Sequence, residues 1–272
     1  MAYTTIDDPS KYFQTALFVG NESTNVITFD GNSDLQPDWL WNKARDHAHY
    51  HYLADTSRGL TKYIFTNENN AEETFTNYIT SSNTDGFTLG AGQGPNQTSK
   101  NYVTWGWKAN GGTTTTNDAS STGVGTIDSV YQANTTAGFS IVTYTGTGSA
   151  GTIAHGLGVA PTLIIGKDRD DTSQWFVQHP LFGATHYGEL DDTTAFADDA
   201  NYFNDSTPTS TVFGVGSDGA TGGTTDYVAY CFAPIQGYSK FGSYTGNGNA
   251  DGPFVYTGFK PAWLMVKNIA DS

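Results

Sequence analysis

Three histidines at alternate positions, His47-Ala48-His49-Tyr50-His51, are the residues of this chain whose type and spacing best suit chemistry. Alternate residues of a strand share one face. On a strand these three imidazoles converge and offer nitrogen ligands to a metal. The plain alternative is a solvated polar strand or loop beside Arg45 and Asp46. Oxygen donors recur as well. Asp30-Gly31-Asn32-Ser33-Asp34 places them at alternate positions as calcium loops do, but Trp41 stands where the twelfth-position carboxylate belongs. A tight turn closed by its own Asx side chains accounts better for that segment. Asp168 to Asp171, Asp191-Asp192 and Asp198-Asp199 are candidate cation donors too, with solvated turns again the better account.

The remaining reactive types do not assemble into a reaction centre. Glu72-Glu73 and Glu189 lie in polar segments with no inferable partner, so the paired carboxylates of a glycosidase are not in view. There is neither a Gly-x-Ser-x-Gly elbow nor a His-Glu-x-x-His pair. Cys231, the single cysteine, lies in the apolar run Tyr227 to Ala233 and reads as a buried small hydrophobe. The chain is therefore read as a non-enzyme without a cofactor, a candidate cation aside. Trp39 with Trp41, and Trp105 with Trp107, alternate along predicted strands, so each pair lies on one face. Exposed, such a face stacks the apolar side of a sugar; buried, it is core, which is the commoner fate.

The elements that must position these residues are strands. Thirty-two glycines, runs of Thr, Ser and Asn, and few charged residues disfavour amphipathic helices. Short β-branched and aromatic runs recur about every ten residues with turn residues between them. Strands are expected at Tyr12 to Gly20, Val26 to Phe29, His49 to Leu53, Tyr63 to Phe65, Phe75 to Ile79, Phe87 to Gly90 and Tyr102 to Trp107. The fold class is all-β, in tandem β-sandwich modules of the jelly-roll or concanavalin A lectin-like kind.

The chain also repeats itself. Pro37-Asp-Trp-Leu-Trp-Asn-Lys43, Pro161-Thr-Leu-Ile-Ile-Gly-Lys167 and Pro261-Ala-Trp-Leu-Met-Val-Lys267 each put proline at the start of an apolar strand and lysine at its end. Four apolar residues in a row suit a strand buried on both faces. Pro37 and Pro161, Phe87 and Phe213, and Tyr102 and Tyr227 lie 124, 126 and 125 residues apart. Near-constant offsets imply duplication. The division expected is an N-terminal docking arm at 1–10, a first sandwich at 11–112, a Gly/Thr/Ser-rich linker at 113–137, a second sandwich at 138–237 and a third, truncated repeat at 238–272.

Twelve basic against 27 acidic residues give a net charge of −15, which disfavours nucleic acid and anionic membranes as partners. Met1 to Pro9 lacks the make-up of a signal peptide, and no stretch is apolar enough for a membrane span. A soluble product of a cytoplasm is expected.

The opening Ala2-Tyr-Thr-Thr-Ile-Asp-Asp-Pro9, the segment Ile27 to Lys43, Gly138 to Gly146, Ala154-His-Gly-Leu-Gly158 and Phe241 to Pro261 resemble repeats in long virion proteins of marine bacteriophages. The resemblance covers nearly the whole chain and brings no catalytic residues. It implies a virion structural protein, most naturally a tail fibre or other appendage that meets the host surface. Expected partners are other virion proteins, reached through the N-terminal arm, a host glycan or protein, and further copies of the chain, a trimer favoured. A sugar-binding receptor protein, a depolymerase and a head-decoration protein are the alternatives. The His47, His49 and His51 pattern is similar to the His-X-His pairs that hold iron in some phage fibre tips, so calcium or iron is the candidate ion.

Overall fold

The computed structural model describes residues 4–270, and these are almost wholly sheet and loop. The first half carries β1 (Phe13–Val19), β2 (Asn25–Ile27), β3 (Trp39–Ala44), β4 (Tyr52–Asp55), β5 (Lys62–Phe65), β6 (Glu73–Thr74), β7 (Ile79–Ser82), β8 (Phe87–Leu89) and β9 (Asn101–Trp107). The second carries β10 (Thr115–Asn117), β11 (Ser129–Asn134), β12 (Phe139–Thr145), β13 (Gly151–Ala154), β14 (Leu163–Asp168), β15 (Phe176–Gln178), β16 (His186–Glu189), β17 (Ala197–Asp198), β18 (Val212–Val215) and β19 (Asp226–Phe232).

Each half has one large and one small sheet. The first large sheet runs β1-β9-β3-β4-β5-β6, and the small one β2-β8-β7. The second large sheet runs β10-β11-β12-β19-β14-β15-β16-β17, and the small one β13-β18. Once β10 and β11 are set aside, the two large sheets have the same strand order. The registers match as well: Phe13 and Trp39 flank Trp107, as Phe139 and Leu163 flank Phe232.

Three cores follow from the alternation of side chains along central strands. Leu40 of β3 joins Ile27, Tyr63 and Phe87 under the first small sheet. Ile164 of β14 joins Val142, Phe213 and Cys231 under the second. The opposite faces of the two large sheets turn towards each other. There Trp39, Trp41 and Trp107 pack with Phe139, Leu163, Trp175, Tyr230 and Phe232 in one shared core. Trp39 alone lies 5.7 Å from the Phe139 ring, 5.0 Å from Tyr230 and 5.8 Å from Phe232. Strands buried on both faces therefore read as unbroken apolar runs, as the proline-led repeats do.

A buried polar network fastens one edge of this contact. Arg58, just past β4, donates to Asp55 at 2.6 Å and to Glu72 at 2.8 Å, and Asp55 and Arg58 side chains have no exposed surface. From the other half, Tyr230 donates to Asp55 at 2.7 Å, while Arg169 holds Glu72 through two nitrogens at 2.9 and 3.0 Å. The Trp175 indole N–H completes the seam on the Phe65 carbonyl at 2.8 Å. Burial works against the Arg58 charge, but Asp55, Tyr230 and Glu72 outweigh it and raise its pKa. Burial likewise works against the Glu72 carboxylate, and Arg169 and Arg58 reverse that and pull its pKa down.

Four sequence expectations are corrected here. Residues 113–137 are not a linker, because β11 pairs with β12 along its length and β10 pairs with β11. The approach to them is clamped: buried Asp38 accepts the Ala109, Gly111 and Gly112 N–H groups, each at 2.8 Å, and Gln132 accepts from Asn110 and Gly112. Gly111 and Gly112 have φ of 63° and 81°, the left-handed backbone that lets consecutive amides turn onto one carboxylate. Low complexity concealed a turn that needs glycine. The arm at 1–10 is not free over its described part: Ile6 is buried, and Asp8 accepts from Ser10 and Ser33. Its first three residues lie outside the described ones.

The strand expected at Phe75 to Ile79 is displaced, with β6 ending before it and β7 starting at its last residue. The strand expected at Pro261 to Lys267 does not form, although Trp263 keeps its inward direction and packs 5.4 Å from the Trp107 ring. Leu264 stands out at 73% exposure, where its counterparts Leu40 and Ile164 are wholly covered by a small sheet. A strand requires a neighbour to take its backbone groups, and this segment has none among the described residues.

Two outcomes follow from the shared core. Urea should unfold the protein in one cooperative transition, with tryptophan fluorescence and far-ultraviolet dichroism superimposing, rather than in two steps. Arg58→Met should lower stability by about 3–5 kcal/mol, since it leaves buried Asp55 without its counter-charge and Glu72 with Arg169 alone; the midpoint of that urea curve measures it.

Candidate functional site

The segment with the three histidines is a loop between β3 and β4, and β4 begins only at Tyr52. The period-two geometry needed to align the imidazoles is absent, and each is engaged separately. His47 contacts Asp46 through Nδ1 at 3.1 Å. His49 Nδ1 accepts from the Tyr50 N–H at 2.9 Å and meets the Tyr52 hydroxyl at 2.8 Å. Burial raises the Tyr52 pKa, so that hydroxyl keeps its proton. His51 is fixed through its backbone N–H, which donates to Asn67 Oδ1 at 2.6 Å. Among the described residues no group of three or more His, Cys, Asp or Glu is arranged to hold a metal ion. The strand face on which His47, His49 and His51 were expected to converge is therefore not formed.

The segment instead forms one wall of an open pocket of about 590 Å³, with Lys43, Ala48, His49, Tyr50 and His51 on one side and Asn67 and Glu68 on the other. The β4–β5 pairing, Tyr52 opposite Phe65, brings the two walls together. The Thr66 N–H donates to the His51 carbonyl at 3.0 Å and closes the base. Tyr50 is 39% exposed, and its ring stacks on buried Phe65 at 4.5 Å. Asn67 donates to Glu68 at 3.1 Å. Burial, then the Lys43 charge, push the His51 pKa down to about 4, and burial with His47 lowers that of His49. At neutral pH the pocket therefore presents neutral imidazoles, one ammonium, one carboxylate, an amide and an aromatic face.

The four tryptophans do not form a platform. Trp39, Trp41 and Trp107 are buried in the shared core, and half-buried Trp105 lies 5.6 Å from Trp41 with Trp263 at 6.5 Å. Trp175 likewise has no exposed surface. Asp168 spends one oxygen on the N–H groups of Asp170 and Asp171 and the other on Thr225. Asp191 accepts from Trp175, and Asp192 caps Thr194. These are closed turns. Glu72 belongs to the buried network, and burial pushes the Cys231 thiol far up. What sequence reasoning missed is the Lys43, Tyr50, Asn67 and Glu68 grouping. The repeat lysine was the one available signal, because Asn67 and Glu68 arrive only through the hairpin.

Taken together, this is an all-β protein of two fused sandwiches with an open polar pocket beside one hairpin. The chain belongs to the family of the domain of unknown function DUF7483, whose profile matches residues 8–272. No curated protein and no solved structure matches it.

The pocket has a pH signature. An unfolded histidine titrates near 6.5, whereas folded His51 waits until about 4. Between those values the unfolded chain binds the extra proton first, so stability is full above the window and falls as pH drops through it. Urea midpoints measured at pH 7 and pH 5 should differ less in His51→Asn than in the wild type.

Proposed function

We propose that the protein is a structural component of a bacteriophage virion, most naturally a tail fibre or other appendage that mediates attachment to the host surface. It works by presentation and not by catalysis. The observation that carries this reading is the doubled strand order, written in the sequence as proline-led repeats and joined through one aromatic core. Such a body is stiff and displays polar loops at fixed spacing. A chain of net charge −15 with Gly-, Thr- and Asn-rich loops suits an exposed position in water. The resemblance to repeats of phage virion proteins points the same way.

On this reading the partners are other virion proteins, further copies of the chain, a trimer favoured, and a host glycan or protein. Multivalent display raises a weak contact to useful avidity. The docking function assigned to residues 1–10 passes to the surface that Ile6 and Asp8 help to build. The second reading, a sugar-binding receptor protein, loses the tryptophan platform and gains the pocket at Tyr50. A head-decoration protein differs only in its position on the particle.

Antibody raised against the chain should decorate purified phage particles in immunogold electron microscopy, with gold clustered on the tail or its fibres. Gold confined to the head would favour decoration. Peptides of the chain found in infected lysate but absent from density-purified particles would sink the proposal.

A further inference from the structure

Lys43 and Lys167 hold the same place in the two halves, last but one on β3 and β14, paired with Val103 and Val228. Their surroundings differ. Lys167 is wholly buried, and its ammonium donates to the Asp168 carbonyl at 2.7 Å, the Asp171 carbonyl at 3.0 Å and Ser173 Oγ at 3.3 Å. The loop after β14 has folded over its lysine. The loop after β3 has not: Lys43 donates to the Ala44 carbonyl at 3.1 Å and lines the pocket of about 590 Å³. An element sealed in one half stands open in the other.

We propose that this pocket is a saccharide-binding site, with Tyr50 as its stacking platform and Lys43, Asn67 and Glu68 as the groups that read hydroxyls. The inference rests on the attachment reading and supplies its ligand class. The Tyr50 ring lies on Phe65, with His49 and Tyr52 edge-on to it, and the residue is still 39% exposed, so the side chain offers aromatic surface to solvent. Sugar rings lay an apolar C–H face on such a surface. Around it stand a cationic donor, an acceptor carboxylate and an amide that is both, the small set of directional polar groups typical of a ligand pocket. The ammonium and carboxylate cancel, and the chain as a whole is acidic, which selects an uncharged, hydroxyl-rich ligand over an anion. The volume admits one or two sugar rings.

Isothermal titration with glucose, galactose, mannose, N-acetylglucosamine and their short oligomers tests the site on the full chain. At least one should bind, and Tyr50→Ala and Glu68→Gln should each weaken it at least about tenfold. Tyr244→Ala, which removes an exposed aromatic elsewhere, should leave it unchanged. Binding by none of the panel, or binding that survives Glu68→Gln at wild-type strength, overturns the proposal. Glu68→Gln is decisive even if Tyr50→Ala unfolds, because that carboxylate holds only the neighbouring Asn67 amide. Chain that labels the particle yet binds no sugar would sink this site and leave the virion reading intact; sugar binding by a chain absent from particles would do the reverse.

Discussion

The contact between the two large sheets is the constraint on which the rest of the molecule depends. Each sheet has a small sheet on one face and would expose a continuous aromatic surface on the other. Trp39, Trp41 and Trp107 on one side and Phe139, Tyr230 and Phe232 on the other bury that surface against each other. Burying a single large apolar side chain contributes about 1.5–3 kcal/mol. A handful of such residues therefore matches the whole net stability of an ordinary domain, about 5–15 kcal/mol. Neither half can be separated without exposing its tryptophans, so the two halves are fused through one core rather than strung like beads.

The ion network at the edge of this contact does a different job. A buried pair costs about as much in lost hydration as its attraction returns, so Arg58, Asp55 and Glu72 add little cohesion over apolar residues of the same shape. What they add is register. An aromatic face can slide against another with small loss, whereas Arg58 meets Asp55, Glu72 and Tyr230 together in only one alignment. Arg169 reaching Glu72 across the seam extends that selection to the second half. Area holds the sheets together, and charge decides where.

Much of the fold was legible in the chain because strand physics is local. Proline before an apolar run marked β3 and β14, and alternation placed Trp39 with Trp41 and Trp105 with Trp107 on common faces. Legibility failed where the deciding partner was distant. Nothing near Gly111 announces that Asp38, more than seventy residues earlier, will gather its amide, so a clamped turn resembled a linker. Three histidines two apart look like a strand face until Asn67 takes the His51 N–H and delays β4 to Tyr52. The segment after Pro261 has the composition of a strand but no neighbour to pair with among the described residues, and composition alone does not reveal that.

The pocket at Tyr50 arises where two halves of like strand order end corresponding strands in different loops. The corresponding strands β3 and β14 face the same physical problem, a lysine near the end of a strand buried on both faces. In the second half the loop supplies three oxygens from its own turn and the ammonium is satisfied internally. Burial still drives the Lys167 pKa down to about 8, a sign that the sealed arrangement is costly to a charge. In the first half the loop runs past instead, Lys43 stays half-exposed, and the space left over is lined by groups from a hairpin that the second half uses otherwise. One copy can keep the shared core intact while its twin leaves a lysine facing solvent, since the core depends on Trp39 and Trp41 and not on what the following loop does. A change in that loop is therefore largely decoupled from the stability of the core, as is usual for loops carried on a rigid scaffold.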